Sequence, residues 1–169
     1  YYDFERNGKP RRLHSQWTER PWLNGAIIGC RWAEGRWPGK GALEFKNPGD
    51  RVRLSLRRRE HKDRTDPNKR KDLDLRALTF ATWVRLDALD QSYHSLLTAD
   101  GKRRHAPAWQ ITGDGRLQFT IQRHPKLSPW TSATKPVFNS RQLGQWVHLV
   151  LSIDTETGRV THYVNGQRV

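Results

Sequence analysis

Two pairs of side chains have types and spacing that could do chemistry. Trp83 and Arg85 stand two residues apart, and so do Trp146 and His148. In an extended strand that spacing puts both members of a pair on one face. If Phe80, Val84, Val147 and Leu149 turn to a core, all four turn away from it. A third segment adds amides: Gln110 and Gln118, with Thr120 and Gln122, oppose Ile111, Leu117, Phe119 and Ile121 in the same alternation. Indole rings are platforms for the apolar faces of sugars. Guanidinium, imidazole and amide groups are donors and acceptors for hydroxyls. The bland reading is that loops such as 124–139 cover this face and the rings merely pack.

Other chemistries find less support. Cys30 is the only cysteine, so no internal disulfide and no cysteine-based zinc cluster can form. It follows Ala26-Ile27-Ile28-Gly29 and reads as a small buried hydrophobe rather than a nucleophile. Glycoside hydrolysis needs two carboxylates flanking the scissile bond. Asp72 and Asp74 lie at the end of a charged run, and Asp154-Thr155-Glu156 lies on a turn. The seven histidines show neither HxH nor HExxH spacing. No helix-turn-helix, RNP motif or zinc finger is visible, and Trp17, Trp22, Trp32 and Trp37 read as plugs packing loops against a core.

Lys and Arg total 31 against 17 Asp and Glu, a net charge of +14 over 169 residues. Such a balance attracts polyanions and says nothing about fold. The segment 57–72, RRREHKDRTDPNKRKD, holds eight of the basic and four of the acidic residues, so most of the excess lies elsewhere. No apolar run approaches the roughly 18 residues of a membrane span. Starting at Tyr1 and lacking Met, the sequence reads as a piece of a longer protein.

The elements that must position these residues are strands. Leu43 and Phe45 alternate with polar neighbours, Asn47-Pro48-Gly49-Asp50 turns the chain, and Val52, Leu54 and Leu56 resume on a return strand. After the basic segment, a loop, Leu78, Phe80, Thr82, Val84 and Leu86 share a face. Ser92 to Ala99 is a short strand. Trp109 to Gln122 is a hairpin turning at Gly113-Asp114-Gly115. His124 to Asn139, with three prolines, is a long irregular connection. Val147, Leu149, Leu151 and Ile153 form the next face. Asp154 to Gly158 turns it into Val160, His162 and Val164, which alternate with Thr161 and Tyr163. Asn165-Gly166 signals a type I′ hairpin whose return strand has only three residues left. Strands this short and regularly spaced predict an all-β protein, a sandwich or barrel, as a single domain over 1–169.

Several segments, in order, resemble laminin-G-like domains of the concanavalin A-like jelly-roll class. They are Tyr1-Tyr2-Asp3-Phe4, Gly35-Arg36-Trp37-Pro38-Gly39-Lys40-Gly41-Ala42-Leu43-Glu44-Phe45 with Gly49-Asp50-Arg51-Val52, Leu78-Thr79-Phe80-Ala81-Thr82-Trp83-Val84, and Gln145-Trp146-Val147-His148-Leu149 through Tyr163-Val164-Asn165-Gly166. The GRWPGKGALEF form is similar to segments attached to bacterial FecR-like envelope regulators. The resemblance implies an antiparallel β-sandwich and a non-catalytic, extracytoplasmic binding module. Its ligand would be a carbohydrate, an anionic one included. The alternatives are a protein-interaction or spacer module and, third, a non-specific polyanion or nucleic-acid binder. The resemblance also implies that calcium could be held through loop carboxylates, with Asp50 the nearest candidate and Asp3 or Asp154 as helpers. The competing reading is that Asp50 simply closes its turn.

Overall fold

The computed structural model describes residues 1–5, 10–18, 21–54, 76–99, 107–121, 131–132 and 135–169. The expected basic loop 57–72, Asp72, Asp74, Gln122 and most of the 124–139 connection lie outside them. The chain divides into two compact units, Tyr1–Arg70 and Lys71–Val169.

In the first unit, β1 (Arg12–Leu13), β2 (Gly25–Ile28) and β5 (Arg51–Arg53) form an antiparallel sheet in the order β1-β2-β5. Alternation turns Leu13 and Ile27 to its buried face. Gly25 lies on that face, where a Cβ would come within 2.7 Å of Val52 and 2.9 Å of Leu54. Beyond β2, Gly29 takes a φ of 79°, which an L side chain rarely adopts, and the strand direction breaks. β3 (Arg31–Glu34) and β4 (Gly41–Glu44) then pair as a separate hairpin.

The Asn47-Pro48-Gly49-Asp50 turn forms as expected, with the Asp50 amide donating to the Asn47 carbonyl at 3.0 Å and Gly49 at φ 95°. The hairpin around it does not form. β4 pairs with β3 and β5 with β2, so the turn joins two different sheets. Phe45, expected on a packed face, is 56% exposed.

The second unit is a two-layer sandwich. Its strands are β6 (Ala77–Arg85), β7 (Tyr93–Thr98), β8 (Pro107–Thr112), β9 (Leu117–Ile121), β10 (Thr131–Ser132), β11 (Trp146–Asp154), β12 (Arg159–Val164) and β13 (Gln167–Arg168). One sheet runs β10-β9-β8-β7 and the other β13-β12-β11-β6, every pairing antiparallel. β11 alternates strictly: Val147, Leu149, Leu151 and Ile153 are buried and their neighbours are not. They meet Trp109 and Ile111 of β8 and Leu117 and Phe119 of β9 in one cluster between the sheets. Each such side chain contributes about 1.5–3 kcal/mol when fully buried, which makes this cluster the main apolar support of the sandwich.

Two core residues come from a segment read as irregular connection. Val137 and Phe138 are buried, and both their amides donate to the Gly115 carbonyl, at 2.7 and 3.0 Å. Gly115, at φ 79°, lies directly under the Phe138 carbonyl, and no side chain fits between them. The closing turn is the expected type I′ form, with Asn165 at φ 49° and Gly166 at 83°.

Candidate functional site

Register decides which side chains meet on the outside of the β13-β12-β11-β6 sheet. On β6 and β11, Trp83 stands opposite His148 and Arg85 opposite Trp146. Since Val84, Val147 and Leu149 turn inward to the core, these four turn outward. The Trp83 and His148 rings lie 4.8 Å apart, tilted by 36°. The Arg85 guanidinium sits over the Trp146 ring at 5.8 Å, while its Nε holds Asp87 at 3.2 Å. A cation at that range from an indole is attracted by the ring's negative face.

The type I′ turn locks this block in place. The Asn165 amide donates to the His148 carbonyl at 2.8 Å, and the His148 amide donates to Asn165 Oδ1 at 2.9 Å. One row further, Val150 stands opposite both Ala81 and Tyr163, and Tyr163 opposite Arg168. Tyr163 and Arg168 therefore extend the same face, which the sequence reading missed. Their signal was there: a two-residue turn at Asn165-Gly166 fixes 163 opposite 168.

Gln110 and Gln118 lie elsewhere. They are cross-strand partners on β8 and β9, and Gln110 Nε2 donates to Gln118 Oε1 at 2.9 Å. They point away from Trp109, Ile111, Leu117 and Phe119, and so lie on the outer side of the other sheet. The six candidate residues thus divide into four on one outer face and two on the opposite one. Gln110 is only 9% exposed, and the amide pair reads as a structural clamp across the β8–β9 hairpin.

Asp50 is engaged by donors. Its Oδ2 accepts the backbone amides of Asn47 at 2.8 Å and Lys46 at 2.9 Å, which hold the carboxyl below its ordinary pKa. Oδ1 packs against Gly29. A calcium site needs six to eight oxygen ligands, and amide donors cannot ligate, so these surroundings do not fit a cation. Asp3 accepts from Gln16 and the Glu5 amide. Asp154 accepts the amides of Glu156 at 2.9 Å and Thr157 at 3.0 Å. Among the described residues no three His, Cys, Asp or Glu side chains stand together as metal ligands.

Glu156 pairs with Arg76 at 3.5 Å, so Asp154 and Glu156 serve their turn rather than flanking a cleft. Cys30 is half-buried, its Sγ donates weakly to the Ile28 carbonyl at 3.5 Å, and burial, with the Asp50 charge second, pushes the thiol pKa up. That is the opposite of an activated thiolate. Two tryptophans expected as plugs stay half-exposed: Trp17 at 50%, and Trp37 at 53% on the β3–β4 turn, with the Arg36 guanidinium 4.6 Å from its ring centre.

No helix among the described residues is long and apolar enough to cross a membrane. Residues 62–169 match the family model of the Concanavalin A-like lectin/glucanases superfamily, of the laminin-G type. No curated protein and no solved structure matches the chain.

Proposed function

The chain belongs to the concanavalin A-like lectin/glucanase superfamily, and from that premise we propose that it is a non-catalytic module that binds carbohydrate on the outer face of β6 and β11. The observation that carries this reading is the block of paired side chains, Trp83 with His148 and Arg85 with Trp146. Indole and imidazole rings offer a sugar its stacking surface. Arg85 offers charge-assisted hydrogen bonds to hydroxyls or to the carboxylate of an acidic sugar. The Asp87 carboxylate at this block is held by Arg85, and we read the block as a binding surface.

The test is a glycan microarray of neutral and acidic glycans, read at low and high salt, with the native chain and Trp146→Ala. Binding to one glycan class that survives salt and is lost in Trp146→Ala is the expected result. Binding that ignores the substitution would sink the site. Silence across the array would transfer the reading to a protein ligand, a second reading that half-exposed Trp37 under Arg36 favours, since Trp and Arg are enriched at protein interfaces. We place the module outside the cytoplasm, as the sensor or adhesion part of an envelope regulator, on the resemblance of its GRWPGKGALEF segment. Fractionation of cells producing the full-length protein tests that placement.

A further inference from the structure

Among the described residues, four strands of the sandwich have a neighbour on one side only: β6, β7, β10 and β13. Such an edge presents unpaired N–H and C=O groups, on which another strand can add. Three of the four are blunted. β10 and β13 are two residues long, and the register of β7 shifts between Ser95 and Leu97. β6 is nine residues long, with no proline, no glycine and one charge, Arg85, at its end.

Hydrogen-bonding parity fixes which groups of β6 face outward. The Arg76 carbonyl accepts the Thr155 amide at 2.9 Å, in register with Ala77 opposite Asp154. Even-numbered residues of β6 therefore bond to β11, and the main-chain groups of Ala77, Thr79 and Ala81 point the other way. All three residues are exposed. Trp83, next in the series, is engaged, its carbonyl accepting the Thr82 hydroxyl at 3.3 Å. The open run is Ala77 to Ala81, about 14 Å of strand.

We propose that this edge takes an extended acidic segment of a partner protein as an added strand. The N–H and C=O groups of Ala77, Thr79 and Ala81 supply its main-chain pairing. Its side chains lie in two rows, one beside Leu78 and Phe80 and one beside the small Ala77, Thr79 and Ala81, which suits alternating apolar and charged residues. Charge selects the partner. β6 holds no carboxylate, and Asp87 and Glu156 are paired with Arg85 and Arg76 at 3.2 and 3.5 Å. The chain carries a net charge of +14, which attracts an acidic segment and repels a second copy of itself. The edge goes beyond carbohydrate binding and does not depend on it.

The experiment follows amide hydrogen exchange in the native chain, by NMR, as a peptide of alternating Glu and Val is added. The Thr79 and Ala81 amides are expected to slow about tenfold or more, while that of Ser95, on the bulged β7 edge, does not change. No slowing at Thr79 and Ala81 overturns the proposal, and this measurement needs no variant to fold. Thr79→Pro removes an outward amide and spares every bond to β11, so peptide affinity is expected to fall about tenfold. Unchanged affinity overturns the edge. The fully N-methylated peptide, which has no amide donor, is expected not to bind, and its binding overturns strand addition. A Lys–Val peptide that binds equally well overturns the acidic partner. Sedimentation of a native dimer that Thr79→Pro disperses overturns it in favour of a second copy. Trp146→Ala is expected to leave peptide binding intact, which keeps failure here distinct from failure of the aromatic site.

Discussion

At the scale of single residues, the aromatic block makes a prediction about stability as well as binding. Trp83 and His148 touch across two strands, and such cross-strand ring pairs are worth about 0.5–1 kcal/mol beyond their burial. A double-mutant cycle of Trp83→Ala and His148→Ala, read by urea unfolding, should give a coupling of that size. Additive losses would mean that the two rings merely share a face. Gly115 is a harder constraint. Its φ of 79° and the Phe138 carbonyl lying over it leave no room for a Cβ, so Gly115→Ala should destabilise by about 2 kcal/mol or more. The substitution pushes on Phe138, whose amide, with that of Val137, donates to the Gly115 carbonyl, so the midpoint should fall while the m-value holds. A loss below the error of unfolding curves would mean that this turn relaxes freely.

At the scale of elements, the turns are where sequence chemistry acted most directly. Asp50, Asp114 and Asp154 each close a turn, held below their ordinary pKa by the Asn47 amide, by the Thr112 hydroxyl and by the Thr157 amide respectively. A carboxyl depressed in the folded state adds stability that is complete above its unfolded pKa and is lost as pH falls through the folded value. Urea midpoints should therefore hold from neutral pH down to the ordinary carboxylate range and decline below it. The Asn variant at each position should flatten its share of that decline, and a midpoint indifferent to pH there would refute the turn assignment.

The same turns show what was legible and what was not. Asn47-Pro48-Gly49-Asp50 and Asn165-Gly166 specify their own backbone angles, and both turns formed. Nothing local says which strand a turn's arms will pair with, and β4 and β5 went to different sheets. Alternation put Trp83, Arg85, Trp146 and His148 on outward positions, because the period of a strand is a local property. It could not tell which sheet Gln110 and Gln118 would join, because pairing across the sandwich is settled by burial far along the chain. Val137 and Phe138 escaped notice because they follow a proline in a segment without alternation, and only their hydrogen bonds to Gly115 give them a place.

At the scale of the whole molecule, the uneven distribution of buried apolar side chains sets an expectation for unfolding. Among the described residues, Leu13 and Ile27 are the buried apolar side chains of the first unit, while the second holds a cluster of ten. A three-stranded sheet with so little interior cannot offset the roughly 1–2 kcal/mol per residue of backbone entropy that ordering it requires. We therefore expect residues 1–169 to unfold as one cooperative domain whose stability is set by the sandwich. Leu151, with no exposed surface on the central strand, is the lever: Leu151→Ala should cost about 2–5 kcal/mol. Calorimetry should show one transition, with van't Hoff and calorimetric enthalpies equal, and Leu151→Ala should lower it as a whole. Two transitions, with only the larger one moved by Leu151→Ala, would mean that the first unit holds itself together. The domain boundary would then fall between the two units, Tyr1–Arg70 and Lys71–Val169.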